Sequence, residues 1–311
     1  MASSIFISVI ICTHNPRPDY LSRVLQALKV QTLPKEMWEL LLVDNTSEKI
    51  LSTEIDLSWH PNSHHIREEQ LGLTPARLRG IKESQAEVLV FVDDDNVLDR
   101  DYLEVTLKIS EDYPFIGAWG GQIRPEFEEA PAEWIKPYLG MLAIREFDRD
   151  IWSNFLSNYD YVPCGAGLCI RRPVVEKYLE MTKNDHNRLR FGSISNNFVT
   201  CEDIDLVLTA CDIGLGMGQF KSLKLLHLLP KNRLQESYLL KLQEGNGYSV
   251  TILESFRGKL PSLSSPTWRG RILNYYQLWR MEPKAKLFFQ ASKRGIDKAT
   301  QELIGSLNQS K

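Results

Sequence analysis

The stretch Glu87-Val-Leu-Val-Phe-Val-Asp-Asp-Asp-Asn96 indicates the fold, because an apolar run ends abruptly in three carboxylates. A continuous run of apolar and β-branched residues is typical of a parallel strand that is buried on both faces. Three adjacent carboxylates repel one another and favour a compensating cation. Mg²⁺ or Mn²⁺ takes such oxygen ligands, commonly together with substrate phosphates. A solvated turn that leads into a helix is the alternative interpretation.

The same pattern, a buried strand followed by polar residues, occurs twice before this stretch. Residues 5–12 form a nearly continuous apolar run that leads into Thr13-His-Asn-Pro16, and residues 38–43 lead into Asp44-Asn-Thr-Ser47. Segments with apolar residues at helical spacing follow, one beginning at Asp19. Strand, helix, strand, helix, strand within the first hundred residues predicts an α/β fold with a mostly parallel sheet.

Each predicted strand places its polar residues at its C-terminal end, and ligands bind at this edge of open α/β sheets. Asp44 and Asn45 carry acceptor and donor groups that suit a nucleotide base, although both residues also favour turns. Arg77 can grip a phosphate or a base edge with two hydrogen bonds. The nearby Arg79 is interpreted as a solvated charge on a helix.

Two features further along the chain suit catalysis. Glu202 and Asp203 begin a predicted helix, where carboxylates stay ionised at neutral pH and suit a base acting on a hydroxyl, although capping is an equally simple role. His227 lies between leucines on a short predicted strand, and such a histidine is more often a core residue than a ligand. The glycine-rich residues 214–218 predict a helix stop. Residues 117–140 predict loops over a cleft.

Composition excludes several classes of protein. The 311 residues are 43% hydrophobic and 25% charged, which excludes a disordered chain, a collagen-like rod and a disulfide-rich miniprotein. Five cysteines without a CxxC pair favour a reducing compartment. The N-terminus lacks a signal-peptide pattern, and the apolar stretches are far shorter than the roughly 20 residues of a membrane span. We therefore expect a cytoplasmic protein, either soluble or peripheral on the inner face of the membrane.

Charge is divided unevenly along the chain. The net charge is −3, but residues 255–311 carry 11 Lys and Arg against 3 acids, so this arm is +8 and the first 254 residues are −11. The net charge of −3 predicts no nucleic-acid partner. The aromatic residues of the arm, interleaved with its basic residues, are Trp268, Tyr275, Tyr276, Trp279, Phe288 and Phe289. Basic and aromatic helices suit an anionic membrane surface. Helices that pack on the rest of the chain or on a second copy in a homodimer are the alternative.

Seven motifs occur in a characteristic order: Ser8-Val-Ile-Ile-Cys-Thr-His-Asn15, Val43-Asp-Asn45, Ala76-Arg77 with Gly80, Phe91-Val-Asp-Asp-Asp95, Gly165-Ala-Gly167, Glu202-Asp203 with Leu206, and His227. Together they resemble the family 2 glycosyltransferases of GT-A fold. The resemblance implies a GT-A catalytic domain over residues 1–235 and a basic helical extension over residues 236–311. Within the catalytic domain, it implies a nucleotide-binding half (residues 1–110) and an acceptor-binding half (residues 111–235).

The resemblance also implies roles for individual residues. The pocket for a nucleotide-diphosphate sugar would be lined by Thr13, Asn15, Asp44, Asn45, Arg77, Asp93 and Asp94. Asp95 and His227 would hold Mn²⁺ or Mg²⁺, Asp203 would be the catalytic base, and Glu202 its acceptor-binding neighbour. The acceptor side would include Trp119, Gly165, Ala166 and Gly167. Apart from the resemblance, Trp119, Trp134 and Trp152 lie in the predicted cleft region as candidate rings for sugar stacking, and aromatic residues of the core or of an interface are the alternative. The chain departs from the family pattern at Leu78, where many members have Asn, and at Thr209, which replaces a frequent Arg.

The implied reaction is an inverting single displacement, in which a base takes the proton of the attacking hydroxyl and a metal neutralises the diphosphate. A UDP-sugar is the expected donor, with GDP- and dTDP-sugars as alternatives. The expected acceptor is a glycan or a lipid-linked sugar of polysaccharide or glycoconjugate biosynthesis. A sugar-phosphate nucleotidyltransferase is disfavoured, because Cys12-Thr-His-Asn-Pro16 lacks that class's Gly-rich, Arg-bearing loop. A non-catalytic sugar-nucleotide or glycan-binding protein is disfavoured by the acidic triplet and by Glu202-Asp203.

Overall fold

The computed structural model describes residues 5–156, 159–185, 188, 201–259, 268, 276 and 278–309, and every structural statement below concerns these residues. The chain divides into two compact units. The first comprises Met1–Ile194 and Glu202–Lys231, and the second comprises Ser195–Cys201 and Asn232–Lys311. The domain boundary predicted between residues 235 and 236 remains a prediction.

A mostly parallel sheet forms the centre of the first unit. Its strands are β1 (Ile7–Thr13), β2 (Trp38–Asn45), β3 (Ser63–Glu68), β4 (Val88–Val92), β5 (Asn96–Leu98), β6 (Ile116–Phe127), β7 (Ile151–Ser153), β8 (Cys169–Arg171) and β9 (Gly216–Leu229). They lie in the order β3-β2-β1-β4-β8-β6-β9-β5, and β7 pairs with β9. Strands β1 to β4 are parallel to one another, β8 runs antiparallel to both β4 and β6, and β9 is parallel to β6.

Helices complete the first unit. They are α1 (Pro18–Lys29), α2 (Leu51–Glu54), α3 (Leu73–Glu83), α4 (Tyr102–Asp112), α5 (Arg172–Asn184) and α6 (Glu202–Asp212), with short 3₁₀ helices at Lys35–Met37, Glu133–Leu142 and Tyr159–Tyr161. Leu21, Val24, Leu25 and Leu28 form the buried face of α1, as their helical spacing predicts. Every residue of β2 and β4 is buried, which is why these strands have no polar alternation. The predicted α/β fold class is confirmed.

Two predictions about the sheet were wrong. Residues 117–140 were expected to be loops, but Ile116–Phe127 form β6, which lies between β8 and β9. A side chain at Gly121 would collide with the backbone of Leu223, so this glycine permits close strand packing instead of a turn. The short strand expected around His227 is the end of a longer strand, β9, which starts at Gly216 and has 14 residues.

The second unit contains two long helices, α7 (Glu236–Phe256) and α8 (Pro283–Gln309), which pack against each other. Glycines at the contact allow the two backbones to approach closely. A side chain at Gly247 would lie 2.5 Å from the Ser292 carbonyl oxygen, and one at Gly295 would collide with Glu244. Lys284 pairs with Glu236, and the Arg294 Nε lies 2.9 Å from a Glu244 oxygen, so part of the predicted basic charge is neutralised within the unit. Tyr275 lies outside the described residues. Of the helices described, none is both long and apolar enough to cross a membrane.

A buried aromatic cluster lies at the start of β2 and yields a prediction about pH. The rings of Trp38 and His60 are 4.0 Å apart, and His60 is 2% exposed. Burial, aided by the charge of Lys35, lowers the pKa of His60 to about 4. The unfolded chain, in which histidine has a pKa of about 6.5, therefore binds a proton between pH 6.5 and 4 that the folded chain does not.

The free energy of unfolding should therefore fall as the pH drops from about 6.5 to about 4, by up to about 3 kcal/mol from His60. In His60→Phe this contribution should vanish, so that the variant loses less stability than the wild type over the same range. Urea unfolding at pH 7.0, 5.5 and 4.5 measures the difference. Equal slopes for the two proteins would contradict a buried neutral histidine.

Candidate functional site

Polar side chains from several elements lie at the carboxyl edge of the sheet. Thr13 ends β1 and is in register with Asp44 near the end of β2. The acidic triplet directly follows β4, and His227, near the end of β9, is in register with Asn96. The first residues of α6 are Glu202 and Asp203.

Asp44 is buried and held by three donors. Its Oδ1 accepts a hydrogen bond from the Ser47 amide at 3.0 Å, and its Oδ2 accepts from the Leu51 amide at 3.1 Å and from the Arg67 guanidinium at 2.7 Å. Burial opposes ionisation of Asp44, but these hydrogen bonds outweigh it and lower its pKa. Sequence reasoning missed Arg67, because the polar strand β3 that carries it has no apolar pattern to predict it.

Asn45 and Asn15 shape the loops around Asp44. The Asn45 side chain accepts from the Gly72 amide at 2.7 Å and donates to the Gln70 carbonyl at 2.8 Å, so its amide already holds the loop before α3. Asn15 has a left-handed backbone, with φ of 48°, and its Oδ1 accepts from the Glu48 amide at 2.9 Å. The Asn45 amide is therefore engaged by this loop, and its contact with a nucleotide base stays a prediction.

The three carboxylates of the acidic triplet occupy different surroundings. Asp94 accepts a hydrogen bond from the Thr13 hydroxyl. Asp93 lies beside Arg77, with 3.6 Å between Oδ1 and Nη2. Burial raises the pKa of Asp93, Arg77 opposes this, and the neighbouring Asp95 adds to it. Asp95 is 6% exposed and accepts from the Asn96 amide group at 2.9 Å.

Asp95 and His227 form a donor pair that fits a divalent cation. The Nδ1 of His227 lies 3.1 Å from the Leu142 carbonyl oxygen, which can only accept, so Nδ1 is the donor. The Nε2 of His227 faces the Asp95 Oδ2 at 3.5 Å, longer than an ordinary hydrogen bond. Carboxylate and imidazole are ligands that Mn²⁺ accepts. The described residues contain no cluster of three or more metal-ligating side chains, so a cation here would also need substrate oxygens.

Arg77 lies against the first residue of α6. Its Nη1 donates to Glu202 Oε1 at 2.7 Å, its guanidinium carbon lies 5.6 Å from the centre of the Phe91 ring, and it is 7% exposed. Burial opposes its charge, but Glu202 and Asp93 outweigh this and raise the pKa of Arg77 above its usual value. Arg77 therefore lies beside Glu202 and Asp93, and the residue that contacts Asp44 is Arg67.

Glu202 is the more buried of the two carboxylates that begin α6. Burial, opposed by Arg77 and aided by Asp203, raises the pKa of Glu202 to about 7. The pKa of Glu202 therefore lies close to neutral pH, whereas both carboxylates were expected to stay ionised there. Burial outweighs the stabilisation that a helix N-terminus gives to a negative charge.

Asp203 is half-buried and oriented by two backbone donors. Its Oδ1 accepts from the Ile204 amide at 2.9 Å, and its Oδ2 accepts from the Gly165 amide at 2.8 Å. A carboxylate oxygen has two acceptor positions, so each oxygen can still accept a substrate proton. The carboxylate is therefore held in one orientation and retains its capacity as a base.

Most of the predicted acceptor residues lie in the core or contact it. Trp119 is completely buried, with the Arg171 guanidinium 5.4 Å from its ring centre. Ala166 belongs to the hydrophobic core, and the Gly167 carbonyl accepts from the Tyr102 hydroxyl at 2.6 Å. Trp119 and Ala166 therefore lie in the core, and acceptor binding by these three residues stays a prediction. Gly165 alone of the four lies beside Asp203.

The two other tryptophans have their own surroundings. Trp152 is 53% exposed and contacts Phe115 edge to face at 5.2 Å, beside the start of β9 and far along that strand from His227. Trp134 is half-buried, with its ring 6.5 Å from that of Tyr138. A role for Trp134 in acceptor binding stays a prediction.

Sequence reasoning also missed a second buried ion pair of α6. Asp205 is 1% exposed and pairs with Arg188. Tyr178 of α5 is also buried. Its burial and the nearby carboxylates of Asp205 and Glu202 raise the pKa of its hydroxyl. The acidic start of α6, with carboxylates at three of its first four positions, was the available signal.

The sheet is mostly parallel and carries acidic side chains at its carboxyl edge. A buried carboxylate, Asp44, and an oriented carboxylate at a helix start, Asp203, accompany them. These features define a class of α/β enzymes that act on a ligand at the strand ends. The family model described as glycosyl transferase family 2 matches residues 8–179, more than half of the chain. The chain therefore belongs to glycosyl transferase family 2, a family of glycosyltransferases, and the resemblance noted in the sequence is confirmed.

Known proteins agree with this assignment. The chain is 33% identical over 102 residues to glycosyltransferase AglE of Haloferax volcanii, covering 32% of this chain and spanning about a third, 33%, of that curated relative. The crystal structure of S. aureus TarS 1–349 covers 99% of this chain and 92% of its own, with a TM-score of 0.52 and 15% identity. The same TarS fragment in complex with UDP-GlcNAc gives a TM-score of 0.52 at 15% identity, over 99% of this chain and 93% of its own. At such identities, the likeness shows a shared GT-A-type fold.

Proposed function

We propose that this chain transfers a sugar from a UDP-sugar to an acceptor hydroxyl in a metal-dependent, inverting single displacement. The observation that carries the proposal is the Asp203 carboxylate, held by two amides on the carboxyl edge that also bears Asp95 and His227. Crystals of TarS in complex with UDP and with UDP-GlcNAc support uracil as the base of the donor. The acceptor we propose is a glycan or a lipid-linked sugar in polysaccharide or glycoconjugate biosynthesis.

The donor would lie along the ends of β1, β2 and β4. The Asp44 carboxylate and the Arg67 guanidinium, 2.7 Å apart, offer an acceptor and donors for the uracil edge. Asp93 and Asp94 would face the ribose. Asp95 and His227 would hold Mn²⁺ or Mg²⁺, which when bound supplies Lewis-acid neutralisation of the diphosphate leaving group.

Asp203 would act on the acceptor side. Its carboxylate would take the proton of the acceptor hydroxyl as that oxygen attacks the anomeric carbon, and the carbon–oxygen bond to the diphosphate breaks. One base on the face opposite the leaving group corresponds to inversion at the anomeric carbon.

Calorimetry with UDP, GDP and dTDP in the presence of MnCl₂ tests the donor base. We expect UDP to bind at least tenfold more tightly than the other two. UDP release from UDP-GlcNAc, UDP-glucose and UDP-galactose, with and without an oligosaccharide panel, then tests transfer. Binding of UDP without release from any donor would instead support a non-catalytic sugar-nucleotide-binding protein.

For location, we propose a cytoplasmic protein whose second unit contacts an anionic membrane surface. Trp279 is 73% exposed and Tyr276 51% exposed, and the Arg280 guanidinium lies 5.6 Å from the Tyr276 ring centre. Exposed aromatic and basic side chains together suit the interface of an anionic bilayer. The cysteines Cys12, Cys164 and Cys169 are thiols, in keeping with a reducing compartment.

Flotation of the full chain with phosphatidylglycerol vesicles tests this contact. The wild type should float and the double variant Trp279→Ala/Arg280→Ala should not. If the wild type stays with the unbound fraction and elutes as a dimer that the variant disrupts, the surface is a homodimer interface and the membrane proposal is wrong.

Gly165→Ala should slow turnover without weakening donor binding. A methyl group at position 165 would lie 2.9 Å from the Asp203 Oδ2 and 3.1 Å from the Arg77 Nη2, so the Asp203 carboxylate must shift. A small misplacement of a reacting group can cost up to about 100-fold in rate, and we expect a loss of about tenfold. Gly140→Ala is the matched control, because its nearest atom is 3.9 Å away. Equal rates for the two variants in a UDP-release assay would refute the effect.

A further inference from the structure

A buried ion pair joins α3 to the start of α6. The Arg77 Nη1 and the Glu202 Oε1 are 2.7 Å apart, and the two side chains are 8% and 9% exposed. The other terminal nitrogen of Arg77 points towards Asp93, 3.6 Å away, at the end of β4. One guanidinium therefore links the donor side of the edge, through Asp93, to the helix that carries Asp203.

The surroundings of Arg77 leave little of it for a nucleotide. The guanidinium lies over the Phe91 ring on one side and is enclosed by two carboxylates. The Glu202 Oε1, which accepts a hydrogen bond from Arg77, is therefore not available to bind an acceptor. Both residues thus face each other more than they face the edge where ligands bind.

The same small region also orients Asp203. The Gly165 amide donates to the Asp203 Oδ2 at 2.8 Å, and the point that a Gly165 side chain would occupy is 3.1 Å from the Arg77 Nη2. Arg77, Gly165 and Asp203 therefore pack as one group. Two buried charges are costly to desolvate, and removal of either partner would leave the other charge buried without compensation.

We propose that Arg77 is a positioning residue: it holds Glu202, and with it the first turn of α6 and the Asp203 carboxylate, in place relative to Asp93. This inference rests on the proposed function, in which Asp203 is the base. It replaces the role implied by the family resemblance, in which Arg77 lines the pocket for the nucleotide base.

Turnover and binding separate the two roles of Arg77. In Arg77→Met the turnover number for UDP release should fall at least tenfold, while the KM for the donor and the Kd for UDP stay within about threefold. Arg77→Lys should recover part of the rate, since it restores the charge but not the two-nitrogen grip. The control is Arg79→Met on the same helix, which breaks an exposed 2.8 Å pair with Glu83 and should leave the rate unchanged. A weakened Kd for UDP with an unchanged turnover number would overturn the proposal.

A double variant tests whether the two partners act through one contact. Glu202→Gln and Arg77→Met should each lower turnover, and the combined variant should lose no more than the worse single variant. The combined variant also removes both buried charges, so its turnover can be measured even if Arg77→Met alone does not fold. Losses that multiply in the combined variant would show that Arg77 and Glu202 act separately and would overturn the proposal.

The carboxyl ¹³C signal of Glu202 gives a readout that needs no enzymatic activity. The charged and titratable groups facing Glu202 are Arg77 of α3, Asp93 after β4, Asp203 of its own helix and Tyr178 of α5. Because Arg77 lowers the pKa of Glu202, Arg77→Met should move its titration to higher pH. An unmoved titration would overturn the contact, whereas a wild type that turns over no donor would overturn the proposed function alone.

Discussion

Asp203→Asn should lower the turnover number about 10³-fold while the affinity for UDP stays at the wild-type level. The amide keeps the shape of the side chain and its oxygen can still accept the Gly165 hydrogen bond, which is 2.8 Å long in the wild type. It cannot take a proton from an attacking hydroxyl. Single-turnover release of UDP measures the rate, and calorimetry measures the affinity.

A matched control exists on the same helix. Asp212 ends α6 and is exposed, so Asp212→Asn should retain wild-type turnover. If Asp203→Asn instead keeps its turnover number, the base must be sought elsewhere. If it loses UDP affinity as strongly as rate, Asp203 contributes to donor binding and the assigned role fails.

The strands that are buried on both faces were predictable from the sequence, and the others were not. β1, β2 and β4 are mostly apolar and end at the site, so their presence and the edge that they share followed from the residues alone. β3 has an exposed, polar sequence, and β6 is rich in glycine, so neither carries an apolar pattern. Because β6 was not predicted, the alternation of side chains between its two faces could not be used to assign Trp119 to the core.

The positions of the site residues followed from strand ends, but their partners did not. Arg77 and Glu202 are 125 residues apart in sequence, and Asp44 and Arg67 meet only because β3 lies beside β2. A one-dimensional pattern does not contain such contacts. The raised pKa of Glu202 was missed for the same reason, because its main cause, burial, is a property of the packed structure.

Asp95→Asn should weaken UDP binding in the presence of Mn²⁺ by about 100-fold. In the proposed site, Asp95 and His227 would hold the cation, and a neutral amide oxygen attracts a divalent cation less strongly than a charged carboxylate does. This loss lies at the upper end of the roughly 10–100-fold range that is typical of residues that only orient a metal ligand. His227→Ala should weaken binding in the same direction.

Metal removal provides the internal control. EDTA should reduce the UDP affinity of the wild type to that of Asp95→Asn, and should change the affinity of Asp95→Asn little, because the group through which Mn²⁺ strengthens binding is already missing. Electron paramagnetic resonance of Mn²⁺ should show an ion immobilised by the wild type with UDP and a free ion with the variant. Wild-type affinity in Asp95→Asn, or a wild type that binds UDP equally well in EDTA, would exclude a cation held by Asp95 and would leave neutralisation of the diphosphate to the protein's own cations.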